Sequence, residues 1–282
     1  MISPTLNENY QVFTDDFFSP FKDKQINYEL QLTNSISKTF KFPTFFKGTE
    51  NGLGIFLCSY EKLKKHMPNQ NLDPVRMPGG RAVFAISCFK YMHIQEMQAY
   101  NEISFTVPVV TKGHLNIPFL TMAAKNLSNI GYYVFSMPVN SEENNIRGNK
   151  IWGLPKFNTR IDISTNTDKM HTVLYDGEQP YIELTYPTHG HEKNFREDIN
   201  VYSFLNTQFL KARVVYTGKY KVNRHLGVAL SKSASANSEF IKINDTPRGK
   251  ILKDLEIDSM PFETRYSNNV LSALHLPEAF EQ

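Results

Sequence analysis

Two side chains suited to carbonyl chemistry stand in restrictive surroundings in this sequence. Lys156 follows Pro155 in GNKIWGLPKFNTRIDI (148–163), the segment that also holds the single tryptophan, Trp152. Glu102 opens an apolar run in AYNEISFTVPV (99–109). A primary amine condensed with a ketone gives a protonated imine, which can accept the electron pair released when a neighbouring C–C bond breaks. The attacking species is the neutral amine, yet an ordinary lysine, with a pKa of about 10.4, is almost wholly charged at pH 7. Desolvation or a nearby cation lowers that value, and each tenfold gain in neutral amine costs about 1.4 kcal/mol. A carboxylate beside the amine acts in the opposite direction. The plainer reading of Lys156 is a strand-edge lysine lying over a tryptophan with its ammonium in water. That of Glu102 is a surface glutamate at a strand start.

The elements around Lys156 fix its direction. Pro155 forces Leu154 into an extended conformation, so Lys156 enters a strand from a stiff backbone. Upstream, NSEENNIRGN (140–149) reads as a helix capped by Asn140, with Glu142 and Glu143 in its first turn and Gly148 or Asn149 at its left-handed stop. Trp152, Leu154 and Phe157 add apolar bulk, although strand alternation keeps them from all facing one way. Arg81, in MPGGRAVF, and Arg147 are the cations available to hold a substrate carboxylate through paired hydrogen bonds.

The remaining chain reads as strands. GIFLCSY (54–60), RAVFAISCF (81–89), ISFTVPVV (103–110), GYYVFSMPV (131–139), RIDIS (160–164), HTVLYD (171–176), YIELTY (181–186) and FLKARVVY (209–216) are rich in β-branched and aromatic residues and separated by turn formers. This pattern predicts a mostly antiparallel sheet or barrel with few helices, an α+β fold. SYEKLKKHMP (59–68) reads as a short helix stopped by Pro68, and NNVLSALHL (268–276), before Pro277, as another. Residues 1 to about 35 read as an N-terminal arm, and 36–282 as one domain without an internal divider. KSASANSE (232–239) reads as a polar loop.

Composition narrows the function classes. With 31 basic and 28 acidic residues interspersed, the net charge of +3 provides no basic face for nucleic acid. No apolar run is long enough to span a membrane, and the N-terminus lacks a signal-peptide pattern, so a cytoplasmic protein is expected. Cys58 and Cys88 are too few for a disulfide framework and read as free thiols. His189 and His191 have metal-like spacing but no accompanying ligand set, so no metal is expected.

GNKIWGLPK resembles the active-site segment of the acetoacetate decarboxylase family, roughly G-R-E-x-x-x-x-P-K. AYNEISFTVPV resembles that family's Tyr-x-Glu followed by a strand ending in Pro-Val. Weaker similarity runs through YEKLKKHMP (60–68), FLKARVV (209–215) and LHLPEAFE (274–281), so the likeness extends from about residue 40 to the C-terminus. The resemblance implies a mainly antiparallel β-barrel or cone with flanking helices, a homo-oligomer, a small keto-acid substrate and no cofactor. It assigns the Schiff-base lysine to Lys156 and the active-site glutamate to Glu102. The family's namesake is itself the standing example of a lysine activated by its surroundings. The sequence departs from the family at three points. Phe157 replaces a second lysine, Asn149-Lys150 replaces Arg-Glu, and no arginine stands near Thr49 and Glu50. Burial rather than a neighbouring charge is therefore expected to activate Lys156, with Arg81, Arg147, Trp152 and Phe157 as substrate contacts.

Overall fold

Period-two alternation, with side chains buried on both faces of the long strands, organises the computed structural model, which describes residues 2–68, 71–118, 121, 130–230 and 239–280. The strands in chain order begin with a hairpin of β1 (Ile26–Gln31) and β2 (Ser37–Phe42). Next come β3 (Thr44–Ser59), β4 (Leu72–Pro74), β5 (Arg76–Met77), β6 (Arg81–Tyr91), β7 (His93–Ile94), β8 (Tyr100–Thr111) and β9 (Gly131–Val139). After a helix, Glu142–Trp152, follow β10 (Lys156–Asn158), β11 (Ile161–Thr165), β12 (Lys169–Asp176) and β13 (Gln179–Pro187). The last are β14 (His191–Leu205), β15 (Gln208–Arg224), β16 (Ile241–Ile243) and β17 (Glu263–Ala279).

Seven of these close into a barrel in the order β9, β14, β15, β17, β3, β6, β8 and back to β9. Every contact in the ring is antiparallel except β9 with β14. Closure leaves the ring no free edge. A second sheet, β11-β12-β13-β16, covers the outside of β3, β6 and β8. Along β6, Ala82, Phe84, Ile86 and Cys88 face that sheet, while Val83, Ala85, Ser87, Phe89 and Tyr91 face the barrel interior. Gly54 permits the close approach of the two layers, since a β-carbon there would stand 2.6 Å from Tyr186 Cε1. In β3 the inward parity changes at Gly48 (φ 65°): Thr44 and Phe46 face in before it, Thr49, Asn51, Leu53 and Ile55 after it. An irregular register against β17 accompanies the change, as a bulge requires.

The α+β barrel expected from the sequence is the fold observed, with three local differences. Residues 268–276 are not helical but lie within β17. Val270, Ser272 and Leu274 face the interior, whereas Leu271 and Ala273 pack outward against the Phe13–Phe18–Phe45 cluster. Burial of both faces produced a run of Leu and Ala that imitates a helix. The helix at 140–149 is capped by Ser141 rather than Asn140 and continues to Trp152, with Gly153 (φ 60°) as its left-handed stop. The helix near 59–68 spans Tyr60–Lys65, capped by the Ser59 hydroxyl. Most of the 232–239 loop lies outside the described residues.

Residues ahead of β1 run along the outside of the barrel. Phe13 and Phe18 are buried against Phe45, and Asn9 Nδ2 donates to the Ile94 carbonyl at 2.8 Å. The β1–β2 hairpin packs with Trp152 and Leu154 in a second core cluster.

Candidate active site

The helix Glu142–Trp152 and the turn after it aim Lys156 inward. Gly153 takes the left-handed conformation, and a side chain there would collide with the Phe204 peptide. The Leu154 amide then donates to the Gly148 carbonyl at 3.0 Å, and the Lys156 amide to the Leu154 carbonyl at 2.7 Å. Asn149 Nδ2 holds the Lys156 carbonyl at 3.1 Å. Three residues of parallel pairing between β10 and β9, with Lys156 beside Met137, complete the placement.

The amine ends in a nearly sealed polar cluster. Lys156 Nζ donates to Glu102 Oε2 at 2.5 Å and also to Asn144 Oδ1. The Lys156 and Glu102 side chains are each only 6% exposed. Tyr91 donates its hydroxyl to the other Glu102 oxygen at 3.3 Å, and the Tyr100 ring centre lies 6.0 Å from Nζ. Burial lowers the Lys156 pKa below its ordinary value; the Glu102 carboxylate pulls the other way, and the Arg147 cation adds to the lowering. Burial first, joined by the Glu102 charge, holds the Tyr91 and Tyr100 hydroxyls well above the usual tyrosine range, so both remain proton donors.

Arg147 is the second unusual charge. It is 2% exposed, and its guanidinium lies 4.1 Å from the Phe40 ring centre, with Phe42 and Trp152 farther out. Its polar contacts are the Thr44 hydroxyl at 3.2 Å and the Met97 sulfur, while Nε is buried without a partner. Among the described residues, no carboxylate lies within ion-pair distance of it. Burial drives its pKa down to about 10, so it is still a cation at neutral pH. The aromatic rings offset part of the cost of burying this cation, and the Nε donor stays unfilled.

Of the residues singled out from sequence, Lys156, Glu102, Arg147 and Trp152 line one cavity of about 280 Å³ inside the barrel. That volume lies near the lower end of the range usual for small-molecule sites. Trp152 is oriented by donating Nε1–H to the His275 carbonyl at 2.9 Å. The other two lie elsewhere. Arg81 is bound to Asp258 and to the Val228 carbonyl, so its guanidinium is committed away from the cavity. Phe157, one residue after an inward-facing lysine, points outward under Arg248, 3.6 Å from its ring centre. The expectation that burial activates Lys156 agrees with the leading effect, but a neighbouring charge, Arg147, contributes as well. Sequence reasoning missed Asn144 and Tyr91 as partners of the pair; Asn144 lies three residues before Arg147, so helix spacing could have placed the two together. A larger hollow between Phe21, Arg196, Arg213 and His275 opens on the outer surface. There Arg213 is already paired with Asp198 at 2.6 Å, and Lys156 and Glu102 are not part of it. Among the described residues, no three His, Cys, Asp or Glu side chains gather as a metal site would need, and no helix is long and apolar enough to cross a membrane. Cys58 and Cys88 are buried free thiols.

A closed barrel encloses a desolvated lysine, a carboxylate and an arginine around one cavity. The acetoacetate decarboxylase (ADC) family matches residues 41–228, well over half of the chain, and the protein belongs to that family. No curated protein sequence matches it. Among solved structures, acetoacetate decarboxylase from Legionella pneumophila superposes with a TM-score of 0.58 at 13% identity, over 85% of this chain and 87% of that one. The enduracididine biosynthesis enzyme MppR gives 0.59 at 10% identity, over 86% and 89%. An acetoacetate decarboxylase-like enzyme from Sphingomonas wittichii RW1 gives 0.53 at 12%, over 84% and 92%. At these identities the likeness is one of fold.

Proposed function

We propose that the protein is a Schiff-base lyase that decarboxylates a β-keto acid at Lys156. The contact between Nζ and Glu102 at 2.5 Å, in a site where both side chains are almost excluded from water, carries this reading. The Lys156 ammonium gives a proton to Glu102, and the neutral amine attacks the ketone carbon. With a proton taken from solvent, the carbonyl oxygen departs as water, leaving a protonated imine. The substrate carboxylate faces Arg147, whose attraction weakens as CO₂ forms. The C–C bond to the carboxylate breaks, CO₂ leaves, and the electron pair moves through the new C=C bond to nitrogen, giving an enamine. The proton held by Glu102 passes to the enamine carbon, and hydrolysis frees the ketone and restores the amine. The net change is β-keto acid anion plus a proton to ketone plus CO₂.

The fold shared with MppR favours a second reading in which the same imine supports aldol or dehydration chemistry. One MppR structure is described as a complex with the condensation product of pyruvate and imidazole 4-carboxaldehyde. Borohydride trapping with a panel of 3-oxo and 2-oxo acids, mass mapping of the adduct and measurement of CO₂ separate the readings. A reducible adduct on Lys156 together with CO₂ from 3-oxo acids supports decarboxylation. An adduct without CO₂ supports the second reading. No adduct with any acid reduces the site to a binding cavity.

A further inference from the structure

The interior beyond Glu102 is much longer than acetoacetate requires. Strand register orders its inward residues in rungs. Thr44 and Arg147 lie at one end, joined by the Thr44 hydroxyl bond. Glu102 stands beside Phe89, Ser104 beside Ser87, and Thr106 beside Ala85. Across β3 the matching positions are Asn51, Leu53 and Ile55. From Glu102 to Pro108 the lining continues for six residues, about 20 Å of strand before allowing for tilt.

Lys156, Glu102 and Arg147 stand at the beginning of this series. Past the Glu102 rung, Leu53, Ile55, Val83, Ala85 and Val134 supply apolar wall, interrupted by the Ser87, Ser104 and Thr106 hydroxyls and by Tyr132. Among the described residues lining that side, Arg265 is the charged one, and Glu263 holds it at 2.5 Å. Cation, amine and apolar channel thus follow one another along the barrel. This order matches a 3-oxo acid whose ketone carries a linear alkyl chain: carboxylate, ketone carbon, hydrocarbon. A methyl group in place of that chain would leave an apolar volume unfilled, forfeiting contacts its walls could make.

We propose that the cavity takes 3-oxo acids with an extended, unbranched alkyl tail, and that Ala85 is a chain-length determinant. The proposal rests on the imine reading above for its catalytic readout, but not for its binding readout. The test uses acetoacetate, 3-oxohexanoate and 3-oxooctanoate as substrates, and butyrate and octanoate as non-reacting ligands in calorimetry. In the wild type, kcat/KM is expected to rise about three- to fourfold per added methylene, and octanoate to bind more tightly than butyrate by a comparable factor per methylene. Ala85→Leu should abolish the gain of the eight-carbon acid over acetoacetate when both are measured on the same variant. Ala85→Phe should shorten the limit further, and thermal melting confirms that each variant is folded. Should either substitution fail to fold, the wild-type series still decides the matter. A flat or falling dependence on chain length in both turnover and calorimetry would overturn the tail assignment. Absence of any adduct, with octanoate still bound more tightly than butyrate, would overturn the imine reading and leave the channel assignment standing.

Discussion

Gly148 lies beneath the Lys156 side chain so closely that a β-carbon there would stand 2.5 Å from Lys156 Cε and nearer still to Cδ. The glycine occupies the interior of the helix Glu142–Trp152, where it costs about 1 kcal/mol relative to alanine. Its backbone is ordinary helix, so space rather than conformation is what it supplies. The helix thereby becomes the floor over which the lysine stem reaches Glu102 and Asn144.

Gly148→Ala should therefore separate activity from stability. The added methyl pushes the lysine stem aside and moves Nζ off Glu102, and misplacement of about 1 Å at a reacting group costs about a hundredfold. Borohydride trapping and kcat/KM are expected to fall by about that factor. The melting temperature should stay within a few degrees, because improved helix propensity offsets the local rearrangement. Loss of folding without an effect on residual specific activity would contradict the role assigned to Gly148.

Opposite substitutions around Lys156 should move its titration in opposite directions. Burial lowers the Lys156 pKa, Glu102 raises it and Arg147 lowers it. Glu102→Gln is thus expected to shift the pH profile of amine labelling downward, and Arg147→Gln to shift it upward. For the imine step, which needs the neutral amine, the rate climbs as pH rises through the lowered value. Arg147→Gln should also raise KM more than it lowers kcat, with kcat/KM reduced about thirtyfold or more. A labelling profile identical in all three proteins would remove Arg147 from the electrostatics of the site.

Much of this arrangement was legible in the chain before folding. Apolar runs marked β6, β8 and β9 nearly to their ends, and GNKIWGLPK marked the segment whose lysine lines the cavity. Other features depended on contacts that no local pattern encodes. β14 begins HEKNFRED, too charged to read as a strand, because it pairs with β15 while its first four residues remain exposed. β17 hides its period under burial on both faces. The aromatic surroundings of Arg147 come from Phe40 and Phe42, on a hairpin far upstream in sequence. Of the two glycines in GNKIWG, only Gly153 has the left-handed backbone, while Gly148 serves the lysine. Composition alone treats the two alike.

Removing the carboxylate should cost stability in a pH-dependent way. The folded-state pKa of Lys156 is below its unfolded value, so the unfolded chain holds more protons over that interval and stability rises with pH there. Glu102→Ala takes away the group that raises the pKa and extends the interval downward. At pH 6 the variant keeps a buried ammonium without its partner, and about 3–5 kcal/mol should be lost. At pH 9 the amine sheds its proton more readily, and the deficit should shrink. Urea unfolding of both proteins at the two pH values measures the difference; an equal deficit at each would mean that the pair does not govern the titration.

Arg81 offers the converse case, a buried ion pair remote from the chemistry. Its guanidinium meets Asp258, with side-chain exposures of 13% and 7%. Burial raises the Asp258 pKa, and the Arg81 charge partly counteracts that rise. Arg81→Met should raise it further. Stability contributed through this carboxyl falls as pH increases between its unfolded and folded values, so the variant is penalised more at pH 8 than at pH 5. About 3 kcal/mol is expected at pH 8, the lower end for a broken buried pair. Because Arg81 is absent from the cavity wall, kcat/KM and adduct formation at Lys156 should remain unchanged wherever the variant is folded. The double variant Arg81→Met/Asp258→Asn should recover part of the loss by removing the unpartnered charge. A fall in kcat/KM with the fold intact would instead return Arg81 to the substrate site.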